Sequence, residues 1–437
     1  MSKDSAIEIR TLGEVDGLAA RILDGEVFVL RRGLQQLGIF DTLIEASLSG
    51  IRAAAGDDTA AKVREAGFDR IHEWVNPGDL PALTDAVYNV MTPIAHKILG
   101  SLVPRVFPGA GSYYYERSPN VRFHIPFDRA AQHRREFSKF AEKRGEGKIA
   151  AHGPHRDQWV DCPSNAINVW IAIGPVRRGN SLTVFSKDYH REFAFKDGYI
   201  QNGERLRKPL SFDLEPGDAV LFLSNHLHGS ELNRTDRTRY VVSYRVTFGK
   251  PHYPHGHYHH YVHGGLAGGP WRALAGIPQN LQASFFRYQW RRLRYKVTGR
   301  GKMSGADSAS VRNSRPQAEP LPPDASLALA DFPVGAIRAV SKNVCIARPE
   351  EHEFVAVSRY CPHTGGDLTG GWIDDGKIVC PLHSLTFDCT TGTSPCTSLR
   401  ALRRFPCHVR DGRVHVLLDG TSDAPHSEVA VAAHAEG

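Results

Sequence analysis

The stretch Cys361-Pro362-His363-Thr364-Gly365-Gly366-Asp367-Leu368, followed by Cys380-Pro381-Leu382-His383-Ser384-Leu385-Thr386-Phe387-Asp388, decides how the last third of the chain folds. Each half carries a Cys-x(1–2)-His pair, so together they offer two thiolates and two imidazoles to a metal. Tetrahedral zinc is one occupant for such a set. An iron–sulfur cluster, with both thiolates on one iron and both imidazoles on the other, is a second. The two prolines, Gly365-Gly366 and Gly370-Gly371 argue for two tight loops rather than a strand–strand–helix finger.

The cysteines point the same way. There are seven, and six of them lie after residue 344. In a chain read as cytoplasmic, that clustering favours metal ligation over a disulfide framework. Cys345, Cys389, Cys396 and Cys407 are then expected as small core residues. CPHTGGDL and CPLHSLTFD resemble the signature of Rieske domains, here within a β-rich segment, residues 327–420. The resemblance implies a [2Fe–2S] cluster on Cys361, His363, Cys380 and His383, serving as an electron carrier. Respiratory Rieske proteins add a disulfide between the cluster loops, where this chain has Gly366 and Leu382. They also place a Ser and a Tyr hydroxyl near sulfur, where Leu385 and Phe387 stand here. Fewer hydrogen bonds to sulfur stabilise the reduced cluster less, so the expected potential is roughly −150 mV rather than +300 mV.

The preceding three hundred residues divide by pattern. Up to about residue 100 the apolar spacing predicts helices, notably over Val15–Leu43 and Leu83–Leu102. From Ser112 to Thr247 alternating segments predict strands: Val121–Ile125, Ala166–Ile173, Ala219–Leu223 and Tyr240–Val246. Turn chemistry at Arg178-Gly179-Asn180 and Pro216-Gly217-Asp218 separates them. The fold class is therefore mainly β with N-terminal helices, an antiparallel sandwich or barrel followed by a second small β domain.

Within the strand region, His155-Arg156-Asp157 is followed 71 residues later by His228. Two histidines and a carboxylate form the facial triad of non-haem Fe(II) oxygenases, which leaves three positions open. An H-x-D by itself is equally an exposed polar turn. The surroundings add weight: PHRDQW, INVWIAIGPVRRGNSLTVFS and EPGDAVLFLSNHLHGSELNRTDRTRY resemble the phytanoyl-CoA dioxygenase family of Fe(II)/2-oxoglutarate oxygenases, from about Tyr113 to Phe248. That resemblance implies a double-stranded β-helix (jelly roll) with His155, Asp157 and His228 as iron ligands. It implies Arg239, eleven residues after His228, as the partner of the far carboxylate of 2-oxoglutarate, with Ser230 adding a hydrogen bond. Arg237 is the near rival to Arg239, and His226 to His228, since two residues apart on a strand share a face. His152 reads as a neighbouring or surface group. Because halogenases of this class carry a small residue in place of the carboxylate, Asp157 favours hydroxylation or another C–H oxidation. Tyr113-Tyr114-Tyr115, Arg122 and His124 lie where relatives line their pockets, although core packing also explains the tyrosines.

The expected domains are an oxygenase at 1–298 with its core at 112–248, a flexible Gly/Ser/Pro-rich linker at 299–326, the Rieske domain at 327–420, and a disordered tail at 421–437. Net charge is +7, and seven basic residues with no acidic one fall between Arg287 and Lys302. A solvated helix face or a docking face explains that run. No nucleic-acid-binding motif accompanies it, so no nucleic-acid partner is expected. Neither a cleavable leader nor a membrane-spanning run is visible, and the expected location is the cytoplasm. The histidine-rich run from His252 to His263 reads as a solvated loop, with a substrate lid or metal site as the rival.

An oxygenase fused to an electron carrier admits three mechanisms. In the first, 2-oxoglutarate supplies the electrons for turnover on a small-molecule substrate with O2, and the cluster re-reduces oxidised iron. In the second, the cluster alone drives a monooxygenase independent of 2-oxoglutarate; the D-x-x-H-x-x-x-x-H pattern of Rieske oxygenases is not found, and Arg239 favours the first. In the third, the protein is a non-catalytic redox or iron sensor. No G-x-G-x-x-G fingerprint is present, so a separate reductase is expected to charge the cluster. The sequence leaves room for a homo-oligomer.

Overall fold

The computed structural model describes residues 5–132, 151–159, 162–196, 198–253, 261–267, 290, 293, 322 and 324–418. The expectations for the basic run, the tail, and most of the linker and histidine-rich run lie outside these residues. The chain divides into two compact units. The first comprises residues 1–199 and 209–313; the second comprises residues 200–208 and 314–437.

In the first unit, helices α1 (Leu18–Leu23), α2 (Gly33–Gln36), α3 (Phe40–Ala66) and α4 (Leu80–Val106) precede most of the strands. Helix α4 buries Leu80, Leu83, Val87, Met91, Ala95, Ile98 and Leu102, the three-and-four spacing of a single apolar stripe. The strands are β1 (Ile7–Ile9), β2 (Phe28–Leu30), β3 (Tyr113–Glu116), β4 (Asn120–His124), β5 (Ile167–Ala172), β6 (Leu182–Val184), β7 (Phe195–Lys196), β8 (Tyr199–Ile200), β9 (Leu210–Ser211), β10 (Ala219–Leu223), β11 (His228–Ser230), β12 (Arg239–Phe248) and β13 (Tyr261–His263). An eight-stranded sheet runs β1-β2-β10-β5-β12-β3-β13, with β4 also pairing β12, and β11-β6-β9 form a second sheet.

The side-chain parity of the central strands makes two cores. Ile167, Val169 and Ile171 of β5, Leu221 of β10, and Tyr240, Val242 and Tyr244 of β12 pack in one core with the helices. Their alternate neighbours Trp170, Ala172, Phe222 and Val241 pack in another with Leu182 and Val184 of β6. A strand buried on both faces has no hydrophobic period. That is why Phe28–Leu30, expected within a helical stretch, is instead a strand pairing with β10. Its β-branched and aromatic residues divide between the two cores.

In the second unit, β14 (Ser326–Ala328), β15 (Ile337–Ala339), β16 (Val344–Ala347), β17 (Val355–Ser358), β18 (Trp372–Asp374), β19 (Lys377–Val379), β20 (Thr386–Asp388), β21 (Arg404–Phe405), β22 (Cys407–Arg410) and β23 (Arg413–Val416) follow. They form sheets β15-β16-β17-β21, β14-β23-β22 and β18-β19-β20. Phe332, Val344, Ile346, Ala356 and Val414 make their core. One Cys-His loop lies between β17 and β18 and the other between β19 and β20. Cys345, Cys389 and Cys396 are buried, whereas Cys407 is only half-buried. Among the described residues no helix is long and apolar enough to cross a membrane.

Candidate metal centres

Parity aims the polar residues of β12 away from the helices. Arg239, Ser243 and Arg245 share the face of Val241, which packs toward β6. They meet β11, whose first residue lies in an antiparallel bridge with His155. The backbone amide of each histidine donates to the other's carbonyl at 2.9 Å, and the ring centroids lie 4.5 Å apart. Asp157 opens a short 3-10 turn, with its amide donating to the Ser224 carbonyl at 3.1 Å.

His155, Asp157 and His228 are all buried, and their potential ligand atoms lie within 4.8 Å of one another. Nε2 of His155 is 3.8 Å and Nε2 of His228 3.7 Å from Asp157 Oδ1. The Nδ1 atoms are occupied: His155 Nδ1 lies 2.8 Å from the Gly153 carbonyl and His228 Nδ1 2.9 Å from the His226 carbonyl. A carbonyl fixes its ring nitrogen as the protonated one, which leaves Nε2 with a lone pair for a metal. Burial pushes His155 down to about 3, and it lowers His228 as well. Both rings are therefore neutral at neutral pH, the form that binds metal. The donor set, its convergence and its fixed tautomers fit a divalent iron.

No motif or spacing signals the partner that holds Asp157. Arg245 donates from Nη2 to Asp157 Oδ1 at 3.0 Å, from Nε to Oδ2 at 3.1 Å, and from Nη1 to Glu116 at 2.8 Å. Asn168 Nδ2 adds a bond to Oδ2 at 3.0 Å. Burial alone would raise the Asp157 pKa; Arg245, then His228 and His155, override it and hold the carboxyl well below the usual range. Arg245 in turn stays protonated against its own burial because Asp157 and Glu116 face it.

Arg239 is 1% exposed, and its recorded hydrogen-bond partners are all neutral. Nη1 donates to the carbonyls of Asn180 and Ser181 at 2.8 and 2.9 Å, and Nη2 to Ser230 Oγ at 3.0 Å. Its Nε has no partner among the described residues. Burial, followed by repulsion from Arg122, brings it down to about 9, so the guanidinium remains charged at neutral pH. The Trp170 ring lies under it, with the guanidinium carbon 5.6 Å from the ring centroid. Arg122 lines a cavity with Trp170, Ser230, Ser243 and the two triad histidines, and Arg239 meets that lining through Ser230. No ion pair or hydrogen bond holds Arg122 among the described residues; burial, then Arg245, disfavours its charge.

The rivals are placed elsewhere. His226 is fully buried against Tyr189, ring centroids 4.5 Å apart. Arg237 pairs with Asp69 at 3.0 Å, outside the cavity lining. Tyr113 and Tyr115 belong to the helix-side core, and Tyr114 meets His263 edge-on. His124 is buried but does not line the cavity. His152 does line it, with its ring 4.9 Å from that of His155, and Tyr199 stands 5.9 Å from the same ring.

In the second unit the two cluster loops repeat one backbone pattern. Cys361 N–H donates to Gly366 and accepts, at its carbonyl, from Gly365; Cys380 does the same with Leu385 and Ser384. The equivalent positions Gly365 and Ser384 both adopt left-handed φ, +75° and +51°. The amides of His363 and Thr364 donate to Cys361 Sγ, and those of Leu382 and His383 to Cys380 Sγ. The His363 and His383 rings lie 4.9 Å apart, and burial brings them down to about 4 and about 3. Nδ1 of His383 is buried with no hydrogen-bond partner among the described residues. Two adjacent thiols and two neutral imidazoles on paired loops fit a [2Fe–2S] cluster. Gly366 sits where the loops touch: a Cβ there would lie 2.8 Å from Cys380 Sγ and 3.1 Å from Leu382.

A carboxylate–imidazole triad in one unit and a thiolate–imidazole pair of loops in the other define a non-haem iron protein with an iron–sulfur domain. The comparisons say which families these are. The phytanoyl-CoA dioxygenase (PhyH) family matches residues 53–241, and the Rieske [2Fe-2S] domain matches residues 324–408. The chain is a fusion of a phytanoyl-CoA dioxygenase domain with a C-terminal Rieske domain. The cofactors that go with these domains are Fe(II), 2-oxoglutarate as co-substrate, and a [2Fe–2S] cluster. The chain is 33% identical over 101 residues, 22% of its length, to the vanillate O-demethylase oxygenase subunit of Pseudomonas sp. (strain ATCC 19151), of which it spans 30%. It is 30% identical over 95 residues, 19% of its length, to the anthranilate 1,2-dioxygenase ferredoxin subunit of Burkholderia cepacia, spanning 88% of it. Among solved structures, it matches the non-heme alpha ketoglutarate dependent carbocyclase SnoK from nogalamycin biosynthesis at 12% identity. That match covers 57% of this chain and 92% of the other, with a TM-score of 0.31.

Proposed function

We propose that this protein is an Fe(II)/2-oxoglutarate oxygenase that oxidises a C–H bond of a small molecule, with the fused Rieske domain delivering electrons to its iron. The observation that carries the reading is Arg239: a buried cation whose hydrogen-bond partners are neutral, donating to Ser230 Oγ, which lines the cavity together with His155 and His228. On this reading the two sheets of the first unit are a jelly roll, the oxygenase domain covers residues 1–298 and the Rieske domain residues 327–420.

His155 Nε2, Asp157 Oδ1 and His228 Nε2 would hold the iron. Iron held there, with 2-oxoglutarate as co-substrate, would supply the O2 activation needed to oxidise a C–H bond, with succinate and CO2 as the co-products. The protein's own residues prepare that chemistry. Arg239 and Ser230 would receive the far carboxylate of the co-substrate. A buried guanidinium hydrogen-bonded only to neutral acceptors gains when an anion arrives. Arg245 and Asn168 hold Asp157 Oδ2, and Arg245 also donates to Oδ1, the oxygen that faces His155 and His228, so the carboxylate is fixed in orientation. Trp170, Leu182 and Phe222 exclude water around these groups. Arg122 and Ser243 are left to orient the substrate or co-substrate. The carboxylate of Asp157 occupies the place a halide would need, so the reaction is hydroxylation or a related C–H oxidation.

Cys361, Cys380, His363 and His383 would hold the cluster, charged by a separate reductase. The experiment is turnover with 2-oxoglutarate, counting succinate against O2 consumed: a one-to-one ratio is expected. Oxygen consumption that needs reductant and ignores 2-oxoglutarate would instead favour a cluster-driven monooxygenase.

A further inference from the structure

Nine residues interrupt the first unit, and they fold with the second: Ile200–Lys208 belongs with the iron–sulfur unit, while Tyr199 before it and Pro209 after it do not. The sequence QNGERLRK shows no apolar period, and nothing in it suggests this role. Its contacts are specific. Asn202 Nδ2 donates to the Gly365 carbonyl at 2.9 Å, and Asn202 Oδ1 accepts from the Asp367 amide at 2.6 Å. One side-chain amide thus pairs with the backbone on both sides of Gly366, the residue packed against Cys380 Sγ. Farther along, the Leu206 amide donates to the Gly370 carbonyl at 2.9 Å, with Leu206 buried. A Cβ at Gly370 would lie 2.3 Å from the Glu204 carbonyl oxygen, so glycine is what lets the segment lie so close. Lys208 closes the run with an exposed ion pair to Asp374 at 2.6 Å.

We propose that Ile200–Lys208 is a strap that ties the iron–sulfur unit to the oxygenase half of its own chain, with Asn202 the positioning residue for the first cluster loop. Asn202 supplies the two hydrogen bonds that a neighbouring strand would give to Gly365 and Asp367. It thereby fixes the loop whose amides at His363 and Thr364 donate to Cys361 Sγ. Asp367 is held from its other side by Arg359, whose Nη2 donates to it at 2.6 Å. The iron–sulfur unit is therefore completed by residues from the oxygenase half, rather than being a free ferredoxin joined by a linker. Only two residues of chain separate Asn202 from Tyr199, which flanks His155. The inference rests on the cluster assignment and not on 2-oxoglutarate, and its readouts lie at the cluster.

The test uses the full-length, cluster-loaded protein. In Asn202→Ala, hydrogen exchange at the Asp367 amide is expected to quicken about tenfold. The cluster's potential falls and its reduced electron paramagnetic resonance spectrum changes, because the N–H···S bonds to Cys361 slacken. Asn202→Asp keeps the acceptor for the Asp367 amide and restores its protection; Lys208→Ala, an exposed pair, changes neither readout. Failure of Asn202→Ala to retain a cluster that Lys208→Ala retains supports the strap as well. Wild-type exchange and potential in Asn202→Ala would overturn the positioning role. The tether has its own test: a protease site is placed between Gly305 and Ser310 and cut. The iron–sulfur fragment should then co-elute with the remainder in the otherwise wild-type protein and separate from it in Asn202→Ala/Leu206→Asp. Co-elution in both, or separation in both, overturns the tether.

Discussion

Replacing Arg245 with leucine removes a cation that Asp157 and Glu116 share. Both carboxylates are buried, 4% and 8% exposed, and the arginine makes four hydrogen bonds at 2.8–3.1 Å to Asp157, Glu116 and Asn168. Breaking a buried ion pair by removing one partner costs about 3–5 kcal/mol, because the remaining charge stays buried without compensation. Here one substitution takes the guanidinium from two buried carboxylates at once, so the loss should reach the upper part of that range. For a unit of this size each kcal/mol moves the melting temperature by about 2–4 °C, and the metal-free variant should melt roughly 10 °C or more below wild type. Arg245→Lys keeps one charge but loses the fork, and should recover about half of the loss. Saturating Fe(II) should narrow the gap, since the ion supplies Asp157 with a new positive partner. The assay is thermal unfolding by circular dichroism in chelator and again under anaerobic Fe(II). A leucine variant melting within about 2 °C of wild type in chelator would refute the reasoning. It would mean that the arginine's desolvation cost cancels what it gives the two acids.

His228→Ala should abolish stoichiometric Fe(II) binding to cluster-free protein by calorimetry, whereas His226→Ala should retain it, because His226 packs against Tyr189 and lends the triad only its carbonyl. Arg122→Ala should raise the KM for 2-oxoglutarate or for substrate by about tenfold or more with little change in iron binding, the loss of one charge-assisted hydrogen bond; unchanged steady-state constants would remove it from the site. Gly366→Ala should deplete the [2Fe–2S] cluster, measured as iron and sulfide per chain, since its methyl group would meet Cys380 Sγ. Redox titration should find the cluster near roughly −150 mV rather than +300 mV, because Leu385 and Phe387 offer sulfur no hydroxyl.

Strands whose faces differ in partner but not in polarity were legible by their edges. Ala219–Leu223 stands out because Pro216-Gly217-Asp218 ends the preceding loop, and the strand begins where the turn stops. Phe28–Leu30 was not legible, because a short run buried on both sides looks the same in a helix or a strand. The same division runs through the two centres. Cys361 and His363, or His155 and Asp157, lie close enough in sequence to be seen as pairs. Arg245 lies 88 residues from Asp157 and 129 from Glu116, and its meaning comes only from the register of β12. Asn202 is 163 residues from Gly365 and sits in a polar stretch that reads as an ordinary loop. Local chemistry writes itself into spacing, while the partners that orient it are chosen by topology.

The central claim is that Arg239 receives 2-oxoglutarate beside an iron held by His155, Asp157 and His228. The most direct test adds 2-oxoglutarate to anaerobic, Fe(II)-loaded full-length protein with its cluster kept reduced, and records the difference spectrum for the visible charge-transfer band of chelated co-substrate. The account predicts a saturable band in wild type that Arg239→Ala shifts to at least a hundredfold higher concentration, about 2.7 kcal/mol of binding. A wild-type protein that binds Fe(II) at the triad yet shows no band at any concentration would contradict it.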